Sequence, residues 1–321
     1  RDFILGASAM MTACAFNGPA HAQDAISTRA RALHRRALVL DGNIGPPIES
    51  SDLPLPQSAL DTARNSGVSA IKTSIGGFGN SFEDTLAELA FYQRIVEAHP
   101  DYFSQIRAVA DIAAAKRDRT LGIIFSFEGV ACLEDKIDRI NLFRSLGVRV
   151  MQLSYNLPSL FGAGVLSPPE AGLTELGREA VSRMNAQGVA LDLSHANPAT
   201  TAAAMAASAK PVLMTHGGCS AVHPHPRNKT DEQLRALAEK GGVIGIYDLF
   251  YLAPAPRQPN LDDYISHMAH ALDVCGEDHV GIGSDTSFTA FALSDEDRAA
   301  WLAETERRRA AGVAAPEEDG R

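Results

Sequence analysis

The sequence has 321 residues, with 29 basic and 39 acidic side chains and a formal net charge of −10. This acidic balance argues against a nucleic-acid-binding protein, because phosphate contacts need a basic surface. A hydrophobic fraction of 45% and a charged fraction of 21% are typical of a globular protein and exclude a largely disordered or integral membrane chain. The length fits two domains of ordinary size or one α/β barrel.

The first residues in chain order, 1–22, have the composition of an export signal. A small apolar run is followed by Ala20 and Ala22, which suit a signal-peptidase site. The opening resembles a twin-arginine signal without its first arginine, which predicts an exported, periplasmic bacterial protein. A lipoprotein anchor at Cys14 is the minor alternative, because the residues before it form a weak lipobox. Residues 23–321 are then expected to form a single domain.

Short apolar, β-branched segments alternate with helical patterns along the rest of the chain. The predicted strands are 37–41, 68–74, 121–127, 148–153, 189–193, 212–215, 243–246 and 280–283. The predicted helices are 84–97, 136–146, 175–186, 198–207 and 231–240. Strands that alternate with helices and are apolar throughout indicate a parallel sheet buried on both faces. Eight of them predict a (β/α)8 barrel; a doubly wound open sheet is the alternative, and the sequence lacks the glycine-rich loops of its nucleotide-binding forms.

Chemically reactive residues follow several of the predicted strands. Glu128 follows the third strand, His195 the fifth, His216 the sixth and Asp285 the eighth. Barrel active sites are built at this end of the strands. One such histidine is usually structural, but two on neighbouring strands with a glutamate indicate a zinc or similar divalent metal site. Asp285 is either the general base and acid of the reaction or the cap of a turn, and its place in the series favours the first.

Seven short motifs carry a family resemblance. They are 127–129, 149–156, 172–179, 192–195, 225–228, 241–245 and 281–285. In this order they closely resemble the membrane dipeptidase (renal dipeptidase) family, and together they cover roughly residues 38–285. The resemblance implies a metal-dependent barrel of the amidohydrolase superfamily that cleaves dipeptides with a free C-terminal carboxylate. It also implies a small-molecule dipeptide as the binding partner, and a homodimer is common in the family.

The resemblance assigns roles to individual residues. Glu128 would bridge two metal ions, and His195 and His216 would complete the second metal site. Asp285 matches the family's catalytic acid and base. Arg227 matches the arginine that binds the substrate carboxylate, a role suited to a planar guanidinium.

Tyr155 follows the fourth predicted strand and is also expected to contact substrate. It lies where some relatives place a substrate-contacting histidine. Without the resemblance, Arg227 would be interpreted as a solvated loop charge.

The sequence departs from the family pattern at its first strand. The family has Asp-Gly-His-x-Asp there, with both metal ligands of the first site, whereas this chain has Asn43 and Gly45 at the ligand positions. Asn43 is a doubtful metal ligand and Gly45 has no side chain. We therefore predict one zinc ion per chain and not two.

This loss leaves three functions open: a single-metal dipeptidase, a non-catalytic periplasmic binding protein on the same fold, or a hydrolase of another amide or a lactone. Because the remaining site residues are intact, hydrolysis is favoured. A second departure follows Asp285, where one charged helical stretch at 295–311 replaces the family's further helices. We expect a domain truncated at its C-terminus, with the arginines at 307–309 on a solvated helix face.

Overall fold

The computed structural model describes residues 26–48, 53–76, 79–288 and 294–318. The predicted export signal at 1–22, with Cys14, lies outside these ranges, so its prediction is not tested. Across the described ranges, no helix combines the length and the apolar character that a membrane crossing requires.

The strands and helices of the described residues alternate along the chain. The strands are β1 Leu40–Asp41, β2 Ile44–Gly45, β3 Ala70–Ser74, β4 Phe103–Gln105, β5 Leu121–Phe127, β6 Val148–Gln152, β7 Ala190–Asp192, β8 Leu213–Gly217, β9 Val243–Ile246, β10 Val280–Ile282 and β11 Thr286–Ser287. The α-helices are α1 Thr28–Arg36, α2 Gln57–Asn65, α3 Phe82–Ala98, α4 Val109–Asp118, α5 Arg139–Leu146, α6 Glu175–Gln187, α7 Pro198–Ala207, α8 Asp231–Glu239, α9 Leu261–Cys275 and α10 Asp295–Ala310.

Parallel strands close into a barrel in the order β1, β3, β5, β6, β7, β8, β9, β10. Closure occurs at β1, which pairs with β3 on one side and with β10 on the other. The architecture is therefore a (β/α)8 barrel, as predicted, and the open-sheet alternative is wrong. The remaining strand of this sheet, β4, pairs with the first half of β5 before β6 takes over.

Apolar side chains of the strands form the core beneath the surrounding helices. In β5, Leu121, Ile123, Phe125 and Phe127 are all fully buried. Phe127 packs edge-to-face on Phe143 of α5, with 4.8 Å between ring centroids. Each such side chain stabilises the fold by about 1.5–3 kcal/mol relative to exposure, so the apolar segments of the sequence mark the barrel strands.

All eight predicted barrel strands and all five predicted helices between them are present. The strands at 121–127 and 243–246 and the helix at 198–207 match to the residue. The prediction for 212–215 ends too early, because β8 continues to Gly217 and includes His216. The structure adds elements that the sequence pattern does not predict, namely β2, β4 and β11 and the helices α1, α2, α4 and α9. Two of the three residues of β4 are polar.

A short pairing above the barrel connects the loops that follow its first and last strands. Here β2 pairs with β11, with Ile44 opposite Thr286. The amide N–H of Asp285 also donates to the carbonyl of Asn43 at 2.6 Å. The pairing therefore brings Asn43 and Asp285, which are 242 residues apart in sequence, to one side of the barrel mouth.

Candidate metal centre and active site

Three potential metal ligands converge at the carboxyl end of the barrel. Glu128 directly follows β5, His195 follows β7, and His216 lies in β8. One ligand atom from each lies within 4.8 Å of the others, and all three side chains are buried. Within the described ranges, this is the set of histidine, cysteine and acidic residues that could hold a metal ion.

A local irregularity in β8 directs His216 into this cluster. The pairing of β8 with β9 shifts register between Met214 and Gly217. The amide N–H of His216 donates to the Ser194 hydroxyl at 3.1 Å. The displaced Thr215 carbonyl lies so close to Gly283 that an added Cβ there would come within 1.8 Å of its oxygen. A bulge of this kind changes where a side chain points.

The outer nitrogens of both imidazoles are held by neighbouring polar groups. His195 Nδ1 lies 2.7 Å from Asn156 Oδ1, which can only accept, so this Nδ1 carries the proton. His216 Nδ1 lies 3.0 Å from Thr215 Oγ1. That hydroxyl uses its own proton on Asp192 Oδ2 at 2.5 Å, so His216 Nδ1 is the donor as well. Both Nε2 atoms therefore present lone pairs to the site.

These two lone pairs face each other. His195 Nε2 and His216 Nε2 are 2.9 Å apart. Burial, followed by the nearby charge of Arg227, holds the pKa of each imidazole well below its usual range, so neither carries a second proton. Glu128 Oε1 lies 3.9 Å from His216 Nε2. Two neutral imidazoles and a carboxylate are a donor set that suits zinc, and a cation would relieve the facing lone pairs.

Asn43 lies on the side of Glu128 that faces away from the two imidazoles. Its Nδ2 donates to Glu128 Oε1 at 2.6 Å and to Asp285 Oδ1 at 2.5 Å. Its Oδ1 accepts from Lys72 Nζ at 2.9 Å. The Ser74 hydroxyl also donates to Oδ1, at 3.4 Å. In this arrangement the amide oxygen is engaged by two donors and the amide nitrogen faces two carboxylates.

Asp285 is a buried acid with one free oxygen. It is 2% exposed, and Oδ2 has no hydrogen-bond partner among the described residues. Burial, reinforced by repulsion from Glu128, raises its pKa to about 7. Its φ of +60° is unusual for a residue other than glycine, which aims the side chain inward. Such a group can accept and return a proton near neutral pH.

Arg227 is a fully buried cation beside the cluster. One guanidinium nitrogen, Nη1, donates to the Ser194 carbonyl at 3.1 Å. Nη2 is buried without a partner in the described part of the chain. A desolvated guanidinium with an unused donor is suited to an anion such as a carboxylate.

Tyr155 forms one wall of the site. Its ring stacks on His195, with 4.1 Å between ring centroids, and its hydroxyl accepts from Arg308 Nη2 at 3.1 Å. Arg308 forms an ion pair with Glu318 in which both side chains are mostly buried. The prediction of a solvated face is therefore wrong for Arg308, although it holds for Arg307 and Arg309, whose side chains are about half exposed.

A segment after α10, residues 313–318, covers the barrel mouth, and we call it the closing segment. Asn156 Nδ2 donates to the Val313 carbonyl at 2.8 Å. His225 Nε2 lies 2.9 Å from the Pro316 carbonyl oxygen. The Tyr251 hydroxyl donates to Glu318 Oε2 at 3.1 Å. The closing segment thus contacts three separate elements around the site.

Several residues of the site are absent from the sequence-based prediction, namely Lys72, Asn156, Asp192, Arg308 and Glu318. One had a signal in the sequence: Lys72 is a lone charge inside an apolar strand, and a lysine is almost never fully buried unless paired. The others lie in ordinary polar contexts. Asn156 and Asp192 also lie within motifs of the family resemblance, but the tertiary contacts are what show the role of each of these four residues.

A parallel barrel with imidazole and carboxylate ligands at the carboxyl ends of its strands belongs to the class of metal-dependent hydrolase barrels. The family model for the membrane dipeptidase (peptidase family M19) matches residues 27–312. The chain therefore belongs to the membrane dipeptidase family. This confirms the resemblance that the motifs indicated.

Relatives and solved structures agree with this assignment. The chain is 31% identical to dipeptidase verJ of Clonostachys rogersoniana over 222 residues, covering 67% of this chain and 56% of that protein. It is 30% identical to an uncharacterised dipeptidase of Schizosaccharomyces pombe over 209 residues, covering 63% of this chain and 50% of that one. The chain thus spans about half the length of these two curated relatives.

Two solved structures share the fold over most of the chain. An amidohydrolase from Pseudomonas aeruginosa superimposes with a TM-score of 0.72 at 29% identity, covering 80% of this chain and 76% of that one. A metallopeptidase described as dipeptidase AC gives a TM-score of 0.70 at 25% identity, covering 88% and 94%. The family evidence supports a metal-dependent, dipeptidase-like hydrolase.

Proposed function

We propose that the protein is a single-metal dipeptidase, which hydrolyses dipeptides with a free C-terminal carboxylate and holds one zinc ion on Glu128, His195 and His216. The observation that carries this proposal is a pair of buried atoms beside the ligand cluster that have no hydrogen-bond partner among the described residues. They are Asp285 Oδ2 and Arg227 Nη2. Hydrolysis of a dipeptide would give each atom a partner: the proton of the attacking water for Asp285 Oδ2, and the C-terminal carboxylate for Arg227 Nη2.

Arg227 would fix the substrate through its C-terminal carboxylate. Its Nη1 is tied to the Ser194 carbonyl, so the guanidinium plane is oriented before substrate arrives and Nη2 remains available. Because the side chain is buried, an ion pair made there is screened little by water. A substrate without a carboxylate would leave this cation unpaired.

Asp285 would move the protons of the reaction. When bound, the metal ion polarises the scissile carbonyl and lowers the pKa of the attacking water. Asp285 Oδ2 accepts the proton of that water and returns it to the leaving amine. Asn43 holds Oδ1, so Oδ2 stays directed at the reacting groups, and a pKa of about 7 suits both steps.

A periplasmic location is a further part of the proposal. It is supported by the composition of residues 1–22 alone. Expression with an arginine added before Arg1, which completes the arginine pair of the resembled signal, and with a C-terminal tag, followed by separation of periplasm and cytoplasm, tests it. A product that stays in the cytoplasm at full length would contradict the location without touching the hydrolase assignment.

The test of function compares matched substrates. The zinc-reconstituted protein should hydrolyse at least one member of a panel of L,L and L,D dipeptides, and its C-terminal amide at least about tenfold more slowly. Arg227→Met should remove this preference, because it deletes the group that recognises the carboxylate. Arg64→Met, on the exposed surface of α2, is the matched control and should retain the preference.

Two results would overturn the dipeptidase proposal. If no dipeptide is hydrolysed but one raises the melting temperature, the protein is a binding protein on the same fold. If only an acylated amino acid or a lactone is hydrolysed, the chemistry is retained and the substrate is different.

A further inference from the structure

Lys72 is a buried cation inside the barrel that the proposed mechanism does not use. It lies in β3 and is only 2% exposed. Its Nζ donates to Asn43 Oδ1 at 2.9 Å. Glu128 Oε1 and Asp192 Oδ2 each lie 3.9 Å from the same nitrogen. The ammonium group therefore lies among three oxygen atoms that come from three different strand ends.

The oxygen atoms around Lys72 Nζ form the kind of environment in which proteins bind a cation. Burying an ammonium group is costly unless anionic or strongly polar partners surround it, and here two carboxylates and an amide oxygen do so. Oxygen atoms from several elements that converge on one point also form the usual site of a hard divalent metal ion. A lysine side chain occupies this point from inside the barrel.

Lys72 also determines how Asn43 is oriented. An amide can point either its oxygen or its nitrogen at a neighbour. Because the ammonium of Lys72 can only donate, it fixes the amide oxygen of Asn43 on its own side. Both N–H bonds of Asn43 must then point at Glu128 and Asp285, as observed.

We propose that the ammonium of Lys72 takes the place of a second metal ion in this site. It balances the charge of Glu128 directly, and through Asn43 it positions the carboxylate of Asp285. Lys72 is thus a positioning residue, since it acts on the reacting groups through its neighbours. The inference rests on the single-metal site of the proposed function and explains why that site needs one ion only.

The proposal predicts which substitutions admit a second ion. Asn43→His with Gly45→Asp restores the two side chains that the family resemblance places at the first metal. An added Cβ at Gly45 makes only ordinary contacts, 3.6 Å from the Thr286 carbonyl oxygen, so a side chain fits there. With Lys72 retained, the ammonium still fills the position. We therefore expect this double variant to bind one zinc ion per chain.

The decisive step is removal of the charge in that background. Asn43→His, Gly45→Asp and Lys72→Met together should bind two zinc ions per chain, measured by elemental analysis after reconstitution and gel filtration. Lys72→Arg in the same background keeps a positive charge and should return the count to one. If Lys72→Met does not fold, as judged by circular dichroism, Lys72→Gln serves the same purpose.

Two counts would overturn the proposal. A double variant that binds two ions with Lys72 in place shows that the ammonium does not exclude a second ion. A triple variant that still binds one zinc ion shows that the charge of Lys72 was not what excluded the second ion. The same triple change with Lys116→Met in place of Lys72→Met is the matched control, since Lys116 donates to the Gly67 carbonyl outside the site, and it should bind one ion.

Metal counting needs no substrate, so the failure of this inference and the failure of the proposed function can be told apart. If the counts follow prediction while no dipeptide is hydrolysed, only the proposed substrate is wrong. If dipeptides are hydrolysed while the counts disagree, only the role of Lys72 is wrong.

Discussion

The two sides of the ligand cluster differ in the source of their positive charge. We call them the imidazole side, with His195 and His216, and the amide side, with Asn43 and Lys72. On the imidazole side, His195 and His216 direct lone pairs at each other across 2.9 Å, and no donor from the described residues lies between them. On the amide side, Asn43 and Lys72 present only N–H donors to Glu128 and Asp285. One side thus requires an external cation, whereas the other carries its own.

The two sides also differ in what holds their side chains in place. The imidazole side depends on backbone features, above all the bulge in β8 that directs His216. The amide side depends on the β2–β11 pairing, which places Asn43 against Asp285 whatever side chain residue 43 carries. Changes of side chain on one side therefore leave the other intact.

The largest effect is expected from breaking the imidazole side. His216→Ala removes one of three metal ligands, so bound zinc should be lost and dipeptide hydrolysis should fall by more than about 100-fold, beyond the usual effect of removing an outer-shell partner. Elemental analysis and a dipeptide assay measure both. His270→Ala, whose imidazole pairs with Asp231 on the outer helices, is the control; zinc retained by His216→Ala would refute the ligand assignment.

The next largest effect should come from the acid on the amide side. Asp285→Asn removes the proton acceptor, and kcat should fall by about 10²–10⁴-fold. Bound zinc should be unchanged, because Asp285 is not a ligand. Asparagine tolerates the positive φ of this position, so the variant should fold. A kcat within tenfold of the wild-type value would rule out Asp285 as the base.

A smaller change should follow from loosening the support of His195. Asn156→Ala removes the acceptor that orients the imidazole, and zinc affinity should fall by about 10–100-fold. Competition with a chelator measures the dissociation constant. Asn65→Ala, at the exposed end of α2, should leave it unchanged. Equal zinc affinities in the two variants would contradict the orienting role.

A separate effect, on stability and not on catalysis, concerns the pH dependence of the metal-free protein. The pKa of Asp285 is about 7 in the folded state and about 3.9 for an unfolded aspartate. Between these values the folded state binds the extra proton, so folding is favoured at low pH and this contribution is lost as pH rises towards 7. Wild-type stability minus that of Asp285→Asn should therefore decrease from about pH 4 to about pH 7. Urea unfolding at several pH values measures the difference, and an increase would contradict the shift.

The sequence was most informative where local pattern and tertiary role coincide. Apolar runs such as 121–127 are recognisable because they are apolar, and they are buried for the same reason. The residue after such a run lies at the barrel mouth. This pattern predicts that Glu128 and His195 lie at the carboxyl ends of their strands, where the structure has them. The orientation of Asn43 could not be found, because it depends on Lys72, 29 residues away.

Arg308 makes a contact that the local sequence pattern does not predict. Its neighbours Arg307 and Arg309 form local ion pairs with Glu304 and Glu306, and nothing local distinguishes the residue between them. What sets it apart is its contact with Tyr155, 153 residues earlier. Local charge patterning cannot reveal such a contact.

The closing segment makes admission of substrate a step of its own. The side chains that would meet a dipeptide are at most 7% exposed, a set that includes Tyr155, Arg227 and Asp285. The closing segment forms a seal over these side chains through its contacts with Asn156, His225 and Tyr251. Arg308→Ala should loosen this seal, speeding amide hydrogen exchange within residues 313–318. Unchanged exchange there would show that Arg308 does not hold the closing segment in place.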